Sequence, residues 1–246
     1  MDEIDKFKEA LAKSSQIVGF TGAGISTESG IPDYRSQGGI WNKFQPVYLD
    51  EFLADEGKRL LYWQRKKALW QGIRDATVSK THVFFKELFD SNKLLGLITQ
   101  NIDGLHEKSG LPSNILVNIH GNNLEIICMT CKDITPAYET LDDLDLGDGA
   151  PLCENCGGLL KPNTISFGQS LVPEDLERAQ DLSLSCDMMI AAGSTLLVQP
   201  AASFPVLAKQ NGATLAIITQ SGTPLDDNAD FVFHEKLGNF IDRLGR

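Results

Sequence analysis

The sequence predicts an α/β protein built on a doubly wound parallel sheet, with a smaller inserted domain. Short apolar runs alternate with helical patterns, and each run ends in glycine, hydroxyl or amide residues, which indicates the sheet. Two Cys-x-x-Cys pairs and a long helical segment interrupt this alternation, which indicates the inserted domain. The predicted sheet domain comprises residues 1–37, 82–120 and 161–246, and the smaller domain comprises residues 38–81 and 121–160.

The composition is that of an ordinary globular protein with an acidic balance of charge. The 246 residues are 42% hydrophobic and 22% charged, and the formal net charge is -11 at pH 7. This excess of acidic residues argues against nucleic acid or an anionic membrane surface as a partner. The chain begins without the layout of a signal peptide, and no apolar run approaches membrane-spanning length. We expect a cytoplasmic protein and a monomer.

The first strand leads into a glycine-rich loop. Helical spacing of apolar residues predicts a helix over 3–13, and the apolar run 17–20 predicts a buried strand. The glycines and small hydroxyl residues that follow allow backbone amides to approach a phosphate. In the dinucleotide fingerprint of Rossmann folds a third glycine would stand at Thr27, and Gly30 comes too late. The loop is therefore a variant nucleotide-binding turn in a Rossmann-like sheet.

A glycine-rich segment and a helical insertion follow this turn. Residues 36–44 combine glycines with large aromatic side chains, which predicts a loop that orders over a ligand. Residues 49–74 have one continuous helical pattern with apolar packing positions. This second segment is predicted to form the helical part of the smaller domain.

Each of the four later predicted strands ends in a polar or glycine cluster. The strands and their clusters are 94–98 with Thr99–His106, 115–119 with His120-Gly121, 187–192 with Gly193–Thr195, and 213–218 with Thr219–Gly222. A helix over 82–92 is predicted before the first of them. Because the carboxyl ends of parallel strands meet at one edge of an open sheet, we expect these clusters to line one ligand site.

Four cysteines have the spacing of a structural zinc site. Cys128 and Cys131 form one pair, Cys153 and Cys156 form the second, and residues 132–152 separate them. Paired knuckles of four thiolates are typical of tetrahedral zinc. Two redox-active pairs are the alternative, but neither pair begins a helix of a thioredoxin-like unit. With four cysteine ligands the metal has no open position, so it should stabilise the module and perform no chemistry.

Taken together, these blocks resemble the sirtuin family. The matching segments, in chain order, are Gly22–Arg35, Thr99–His106, His120-Gly121, the two Cys-x-x-Cys pairs, Lys161–Gly168, Gly193–Leu196 and Thr223–Asp226. The series covers nearly the whole chain and is therefore specific. The resemblance implies an NAD-dependent protein-lysine deacylase that consumes NAD as a co-substrate. The implied products are nicotinamide, free lysine and O-acyl-ADP-ribose, and one structural Zn²⁺ is implied.

The resemblance also implies roles for residues at the sheet edge. His120 would act as the general base on a ribose hydroxyl, Asn101 would face the ribose and an ordered water, and Asp103 with Ile102 would hold the nicotinamide carboxamide. The other residues implied to bind NAD are Gly22, Ala23, Gly24, Thr27, Asp33, Tyr34, Arg35, Gln100, Gly193, Ser194, Thr195, Thr219 and Gln220. The residues implied to bind the acyl-lysine peptide as an added strand are Ile165, Phe167, Gly168 and Val198.

Several of these residues have structural alternatives. A lone histidine after a strand is more often structural, but the position of His120 at the same edge as the Asn-Ile-Asp turn favours the base. Asp103 could be a turn residue before a glycine, and Asp33 could be a cap. The sequence departs from the family pattern at Gln169, where many members have Glu. It also departs at Gln220, near the usual adenosine-ribose Asn, where a glutamine could still form hydrogen bonds.

Tyr62 and Arg65 bear on which acyl group is removed. They are one helical turn apart and resemble the Tyr-x-x-Arg pair by which some sirtuins bind acidic acyl groups, so a desuccinylase or demalonylase is an alternative. The other reading is an aromatic core residue beside an exposed arginine, which the loose alignment through this insertion favours.

Two further functions use the same residues differently. An ADP-ribosyltransferase or NAD hydrolase could use this pocket with a poorer acyl-lysine tunnel. A nucleotide-binding module without turnover is disfavoured by His120 and Asn101, because a protein that only binds has no need of a base beside the ribose. A dehydrogenase is disfavoured by the broken glycine fingerprint and by the missing acidic residue for the ribose diol.

Overall fold

A computed structural model gives the structure of the protein over residues 2–36, 38–40, 44–147 and 149–245. The predicted loop 36–44 lies partly outside the described residues, at 37 and 41–43. Within the described ranges, no helix is both long enough and apolar enough to cross a membrane.

The large sheet consists of six parallel strands among the described residues. In spatial order they are β3 (Leu116–Asn118), β2 (Leu94–Thr99), β1 (Ile17–Thr21), β7 (Met188–Ala192), β8 (Thr214–Ile218) and β9 (Phe231–Phe233). The chain moves outward from β1 to β3, returns beside β1 as β7, and moves outward again on the other side. The strand order therefore reverses between β1 and β7, which is where doubly wound sheets bind ligands. The predicted fold class is confirmed.

Helices cover both faces of this sheet. On one face lie α1 (Glu3–Lys13), α4 (Lys80–Asp90) and α9 (Leu237–Leu244), and on the other lie α7 (Pro173–Ser185) and α8 (Ser203–Gln210). Successive residues of β1 face opposite sides, so Ile17 packs in the first apolar cluster and Val18 in the second. Both residues are fully buried. The strands are apolar on both faces because both faces are covered.

A small antiparallel sheet is inserted between β3 and β7. In it β4 (Gly121–Cys128) pairs with β5 (Ile134–Pro136) on one side and with β6 (Leu160–Thr164) on the other, and α6 (Ala137–Leu141) follows β5. The predicted domain boundary between residues 160 and 161 falls at the start of β6, whose pairing with β4 places residues 160–164 in the small sheet.

The helical insertion packs against this small sheet. It consists of α2 (Leu49–Ala54) and α3 (Glu56–Asp75), where the sequence pattern predicts one helix. The break lies at Asp55, whose backbone is extended and whose carboxylate accepts the N–H of Lys58 at 3.0 Å, a typical N-cap. A third apolar cluster joins α2 and α3 to β4 and α6. The insertion and the cysteine segment thus share one core.

Candidate active site

The carboxyl ends of the central strands converge at one edge of the large sheet. The hydrogen-bond ladder continues past the strand ends, with Gln100 N donating to Thr21 O at 2.9 Å and Gly22 N to Ala192 O at 3.0 Å. On the β3 side, Ile119 N donates to Thr99 O at 3.0 Å. The predicted polar clusters are therefore fixed side by side by the backbone of the sheet.

The glycine loop turns as a 3₁₀ helix, Ala23–Ser29, packed against the residue that follows β7. A Cβ on Gly22 or Gly24 would lie 2.8 Å from Gly193 O, so close contact between the two loops requires glycine. The N–H groups of these two glycines donate to Ala192 O and Gly193 O. Of the three amides predicted to face a diphosphate, only that of Ala23 has no acceptor among the described residues.

Asn101 and Asp103 follow β2 in a buried turn, and each is about 7% exposed or less. The Asp103 carboxylate accepts Leu105 N at 3.0 Å at the start of α5 (Leu105–Lys108), and it accepts the Ser26 hydroxyl at 2.6 Å. Asn101 Nδ2 donates to the same hydroxyl oxygen at 3.2 Å. Burial raises the pKa of Asp103, while its hydrogen bonds to Ser26 and Leu105 act in the opposite direction. Ser26 therefore ties the glycine loop to the turn.

His120 lies just beyond β3 with one ring nitrogen fixed. Its Nδ1 lies 3.1 Å from Gln100 O, and a carbonyl can only accept, so Nδ1 carries the proton and Nε2 keeps a lone pair. Burial lowers the pKa of His120, and the charge of Arg35 lowers it further against the opposing effect of the bond to Gln100. The next residue, Gly121, has φ of 80°, and a Cβ there would lie 2.2 Å from Asn163 O. The imidazole is therefore neutral at neutral pH and held by the backbone.

The loop after β7 presents a serine to the same edge. Ser194 Oγ accepts Gln100 Nε2 at 2.8 Å and Leu196 N at 3.2 Å, so its own hydrogen remains available for an acceptor. Gly193 has φ of 65°, and a Cβ there would lie 2.5 Å from Ile25 N. The half-buried Thr195 follows directly. The structure thus brings Gln100 and Ser194 into contact, as predicted for one site.

The rest of the glycine loop contains polar residues with local partners. Thr27 Oγ1 donates to Gly24 O at 3.0 Å. Asp33 Oδ1 accepts the N–H groups of Arg35 at 3.0 Å and Ser36 at 2.8 Å, which is the capping role that the sequence left open. Burial, with the Asp103 charge as a second cause, raises the pKa of Tyr34 to about 12. Tyr34 therefore keeps its proton near the Asp103 turn.

The four predicted zinc ligands form one cluster. Their sulfur atoms all lie within 4.8 Å of one another, with Cys128 and Cys156 3.5 Å apart and Cys131 and Cys153 3.8 Å apart. A tetrahedron with Zn–S bonds of about 2.3 Å has edges of about 3.8 Å, which is close to the separation within each of these two pairs. The four cysteines are positioned to bind a zinc ion, as predicted.

Comparison with known proteins identifies the family. The model of the Sir2 family matches residues 22–200, which contain the glycine loop, the buried turn, His120 and the cysteines. The chain belongs to the Sir2 family. The predicted resemblance to sirtuins is therefore confirmed.

Relatives and solved structures match this Sir2-family chain over nearly its full length. An NAD-dependent protein deacetylase of Thermodesulfovibrio yellowstonii is 40% identical over 98% of this chain and 93% of its own. An NAD-dependent protein deacylase of Aquifex aeolicus is 38% identical over 93% of each chain. A mutant Sir2 homologue in complex with ADP-ribose has a TM-score of 0.90 and 33% identity over 99% of this chain and 95% of its own. A solved Sir2-p53 peptide-NAD+ structure has a TM-score of 0.87 and 32% identity over 99% of this chain and 97% of its own.

The predicted peptide-binding segment of this Sir2-family chain begins beside the imidazole. Ile165 N donates to His120 O at 2.8 Å, and Phe167 O accepts Leu49 N at 3.0 Å. The Phe167 side chain is 43% exposed, and Gly168 takes a φ of 80°. Val198, the other residue predicted to bind the peptide, is half-buried. The segment 165–168 is therefore positioned at the edge that contains His120.

Tyr62 and Arg65 have partners within the protein. The Tyr62 hydroxyl lies 3.4 Å from Thr164 Oγ1, and its ring is 5.1 Å from that of Phe52. Arg65 donates to the carbonyl of Gln45, and its guanidinium lies 5.4 Å from the centroid of the Phe44 ring. Arg65 also lines a surface cavity of about 500 Å³. The tyrosine is thus part of an aromatic core, while the arginine lies at the surface of the insertion.

The predicted adenosine end lies after β8. Thr219 is buried, its N–H donates to Phe233 O at 3.1 Å, and its carbonyl accepts His234 Nδ1 at 3.3 Å. Gln220 is exposed, and its side chain has no hydrogen-bond partner in the described part of the chain. This end of the edge is therefore less constrained than the Asn101–Asp103 turn.

Two buried histidines lie beneath the edge and bond to residues of the protein. His106 Nε2 lies 2.9 Å from Thr21 Oγ1, and Ser79 N donates to His82 Nδ1 at 3.1 Å. Their rings are 4.8 Å apart, and burial lowers the pKa of each. Ser26 is the site residue to which the sequence assigned no role, and its only signal was a hydroxyl within the glycine loop.

Proposed function

We propose that the chain is an NAD-dependent protein-lysine deacylase in which His120 is the general base. The observation that carries this proposal is the orientation of the His120 ring, with Nδ1 bound to Gln100 O and Nε2 without a partner among the described residues, at the edge where the buried turn lies. The residues fit NAD, because Asn101 Oδ1 is buried without a partner among the described residues and the Ser194 hydroxyl can still donate. When bound, NAD supplies the ribose carbon that accepts the acyl oxygen as nicotinamide leaves.

Within this proposal the buried turn holds the nicotinamide end. Asp103 would accept from the carboxamide NH₂, since each carboxylate oxygen keeps a second lone pair, and the Ile102 N–H would donate to the carboxamide oxygen. Asn101 Oδ1 would accept from a ribose hydroxyl or an ordered water. The contacts of Ser26 to both side chains keep these groups preoriented.

His120 Nε2 would take the proton of a ribose hydroxyl. Its lowered pKa keeps the imidazole neutral, and therefore basic, at physiological pH. The Gln100 carbonyl fixes the tautomer and stabilises the positive charge that forms on the ring. Burial of the site excludes bulk water, which favours transfer to the acyl oxygen over hydrolysis.

The remaining cofactor residues would bind the diphosphate and adenosine. Ala23 N–H and the Ser194 hydroxyl are the donors with capacity to bind phosphate oxygens, and Arg35 supplies positive charge. The other residues that we assign to this cleft are Gly22, Gly24, Thr27, Asp33, Tyr34, Gly193, Thr195, Thr219 and Gln220.

The substrate that we propose is an acylated lysine on a protein. The segments 165–168 and 195–198 would pair with its backbone on either side, which is strand addition. We further propose a cytoplasmic monomer with two domains, with the boundary after Thr164 because β6 belongs to the small sheet. Free thiols at the zinc cluster support a reducing compartment.

Product analysis with and without an acylated peptide tests the function. With NAD and an acetyl-lysine peptide, we expect nicotinamide and O-acetyl-ADP-ribose to form in equal amounts, measured by mass spectrometry. Omission of the peptide should stop nicotinamide release. Equal release without the peptide would instead assign an NAD hydrolase, and ADP-ribosylated protein would assign a transferase.

An acidic-acyl deacylase is a second candidate, favoured by the charge around Tyr62. The Lys66 amine lies 5.4 Å from the Tyr62 ring centroid, Lys161 is 1% exposed, and neither pairs with a carboxylate among the described residues. Arg65 Nε is also buried without a partner there. Acetyl and succinyl peptides should be compared in the wild type and Arg65→Met. A loss in Arg65→Met that is confined to the succinyl peptide would support this candidate, and an equal effect of Arg65→Met on both peptides would remove it.

A further inference from the structure

The buried turn at Asn101–Asp103, to which we assign the nicotinamide, is held by the glycine loop, by β2 and by the small sheet. Ser26 contacts the turn from the glycine loop, and Thr99 Oγ1 accepts Asn101 N at 3.0 Å from β2. In addition, Asn123 N in β4 donates to the carbonyl of Ile102 at 2.9 Å. The carbonyl of Ile102 belongs to the peptide that joins Ile102 to Asp103, so its bond to Asn123 N fixes the direction of that peptide within the turn.

The side chain of Asn123 is in turn held by a lysine of the inserted helix. Asn123 is fully buried, and its Oδ1 accepts Lys66 Nζ of α3 at 2.7 Å. An ammonium group can only donate, so this bond also determines which end of the amide faces Lys66. The other end, Asn123 Nδ2, is buried without a partner among the described residues. The contact with Lys66 is therefore the one that orients this amide.

Packing alone does not account for a lysine at position 66. Burial lowers the pKa of Lys66 to about 8, which shows that its surroundings disfavour the charge. Among the described residues its amine has no carboxylate partner, and the second buried amine, that of Lys161, donates instead to the carbonyls of Pro162 and Thr164. An apolar side chain of the same length would fill the space without this cost. What the amine adds is a charge-assisted hydrogen bond to Asn123.

We propose that Lys66 is a positioning residue for the nicotinamide site and acts through Asn123 on the carbonyl of Ile102. This inference rests on the proposed function, because it assigns the turn to nicotinamide. It links α3, which also carries Tyr62 and Arg65, to the turn that grips the leaving group. A displaced turn would misalign the carboxamide contacts of Asp103 and Ile102 while leaving the phosphate side intact.

The test compares Lys66→Met with Lys66→Arg, which retains a donor, and with Lys67→Met as the matched control. Lys67 is the next residue of α3, and its amine donates to the carbonyl of Leu144, away from the turn. For Lys66→Met we expect kcat/KM for NAD to fall about 10-fold and the inhibition constant of nicotinamide to rise about 10-fold, since small misplacements cost up to ~10²-fold. Lys66→Arg should recover most of the loss, and Lys67→Met should match the wild type.

Calorimetric binding of ADP-ribose provides a readout independent of turnover. ADP-ribose has no nicotinamide, so its affinity should be equal in the wild type and Lys66→Met. Equal losses for ADP-ribose and NAD would overturn the inference, because the damage would then extend over the whole cleft. An unchanged nicotinamide constant in Lys66→Met would also overturn it.

A second variant keeps the test decisive if Lys66→Met does not fold. Asn123→Ala retains the backbone N–H and removes the acceptor of the lysine, so it should raise the nicotinamide constant in the same way. If the wild type releases no nicotinamide from NAD, the proposed function fails, whereas an active wild type with a silent Asn123→Ala contradicts only the role of Lys66.

Discussion

The edge of the large sheet and the four-cysteine cluster both gather polar groups, but the fold orders them by different means. At the edge, buried side chains bond to one another and to backbone, as in the contacts of Ser26 with Asn101 and Asp103. Two apolar clusters below the edge hold those elements in place. The thiols of the cysteine cluster contact mainly each other, and Cys131 and Cys156 are exposed.

The difference indicates where each region obtains its stability. The edge is preorganised by burial, and a few atoms such as His120 Nε2 and Asn101 Oδ1 are left for ligands. The cysteine cluster requires a metal to bring four thiolates together, because backbone N–H donors such as that of Cys131, which lies 3.5 Å from Cys128 Sγ, offset only part of their repulsion. The two regions should therefore respond separately to metal, to mutation and to pH.

Removal of zinc should have the largest effect and should begin in the small sheet. Apparent zinc-binding free energies of small modules are roughly 10–16 kcal/mol, and where the site forms only on folding this binding free energy is folding free energy. We expect a chelator to abolish hydrogen-exchange protection in β4 to β6 before that of β1 or β2. Deacylation should also be lost, because β4 begins at Gly121, directly after His120.

Mass spectrometry of exchanged peptides, together with zinc content, measures this effect. Addition of zinc should restore protection and serves as the control. An apoprotein that keeps β4 protected and remains active would show that burial orders both regions.

His120→Ala should lower activity while leaving both regions folded. Loss of a general base lowers kcat by roughly 10²–10⁴-fold, while zinc content and melting temperature should remain those of the wild type. ADP-ribose binding, measured by calorimetry, should also persist, because the ring faces the nicotinamide side. A variant that retains wild-type kcat would place the base elsewhere at the edge.

Acidification should distinguish the stability of the sheet edge from that of the cysteine cluster, because His82 lies beneath the edge. Burial lowers the pKa of His82 to about 4 from the ordinary value of 6.5, and its Nδ1 accepts a backbone N–H only in the neutral ring. As the pH falls, the unfolded chain therefore takes up the proton first. This stability is fully present above pH 6.5 and decreases toward pH 4, by on the order of 3 kcal/mol at 1.36 kcal/mol per pKa unit.

Urea unfolding at several pH values, with a zinc dye in the same samples, measures this dependence. Zinc release also follows acidification because thiolates become protonated, so only stability lost before zinc appears is assigned to the edge. His82→Gln should reduce the slope of stability against pH. An unchanged slope would assign the effect to other groups.

Features encoded in short stretches could be predicted from the sequence, and contacts between distant stretches could not. Apolar runs that end in polar clusters predict β1, β2, β7 and β8 to within about a residue, and the cysteine spacing predicts the zinc cluster. The helix pair α2 and α3 differs from the prediction because a single N-cap at Asp55 interrupts a continuous apolar pattern.

Long-range contacts account for what the sequence missed in the site. Ser26 meets Asp103 across 77 positions, and Lys66 meets Asn123 across 57, so no local pattern connects them. The glycines of the first loop illustrate the same limit. The sequence predicts that these glycines bind phosphate. In the structure they must also lack a Cβ because they contact Gly193, a residue far along the chain.

Replacement of Gln220 should have the smallest effect and tests the least constrained end of the edge. Because this exposed side chain has no partner among the described residues, Gln220→Ala should leave the melting temperature unchanged. If it binds the adenosine ribose, loss of one hydrogen bond of about 1 kcal/mol should raise KM for NAD about 5-fold, with kcat unchanged. Gln220→Asn, which keeps the amide on a shorter side chain, is the matched variant. An unchanged KM in both variants would mean that backbone groups near Thr219 bind the adenosine, since the side chain then contributes nothing there.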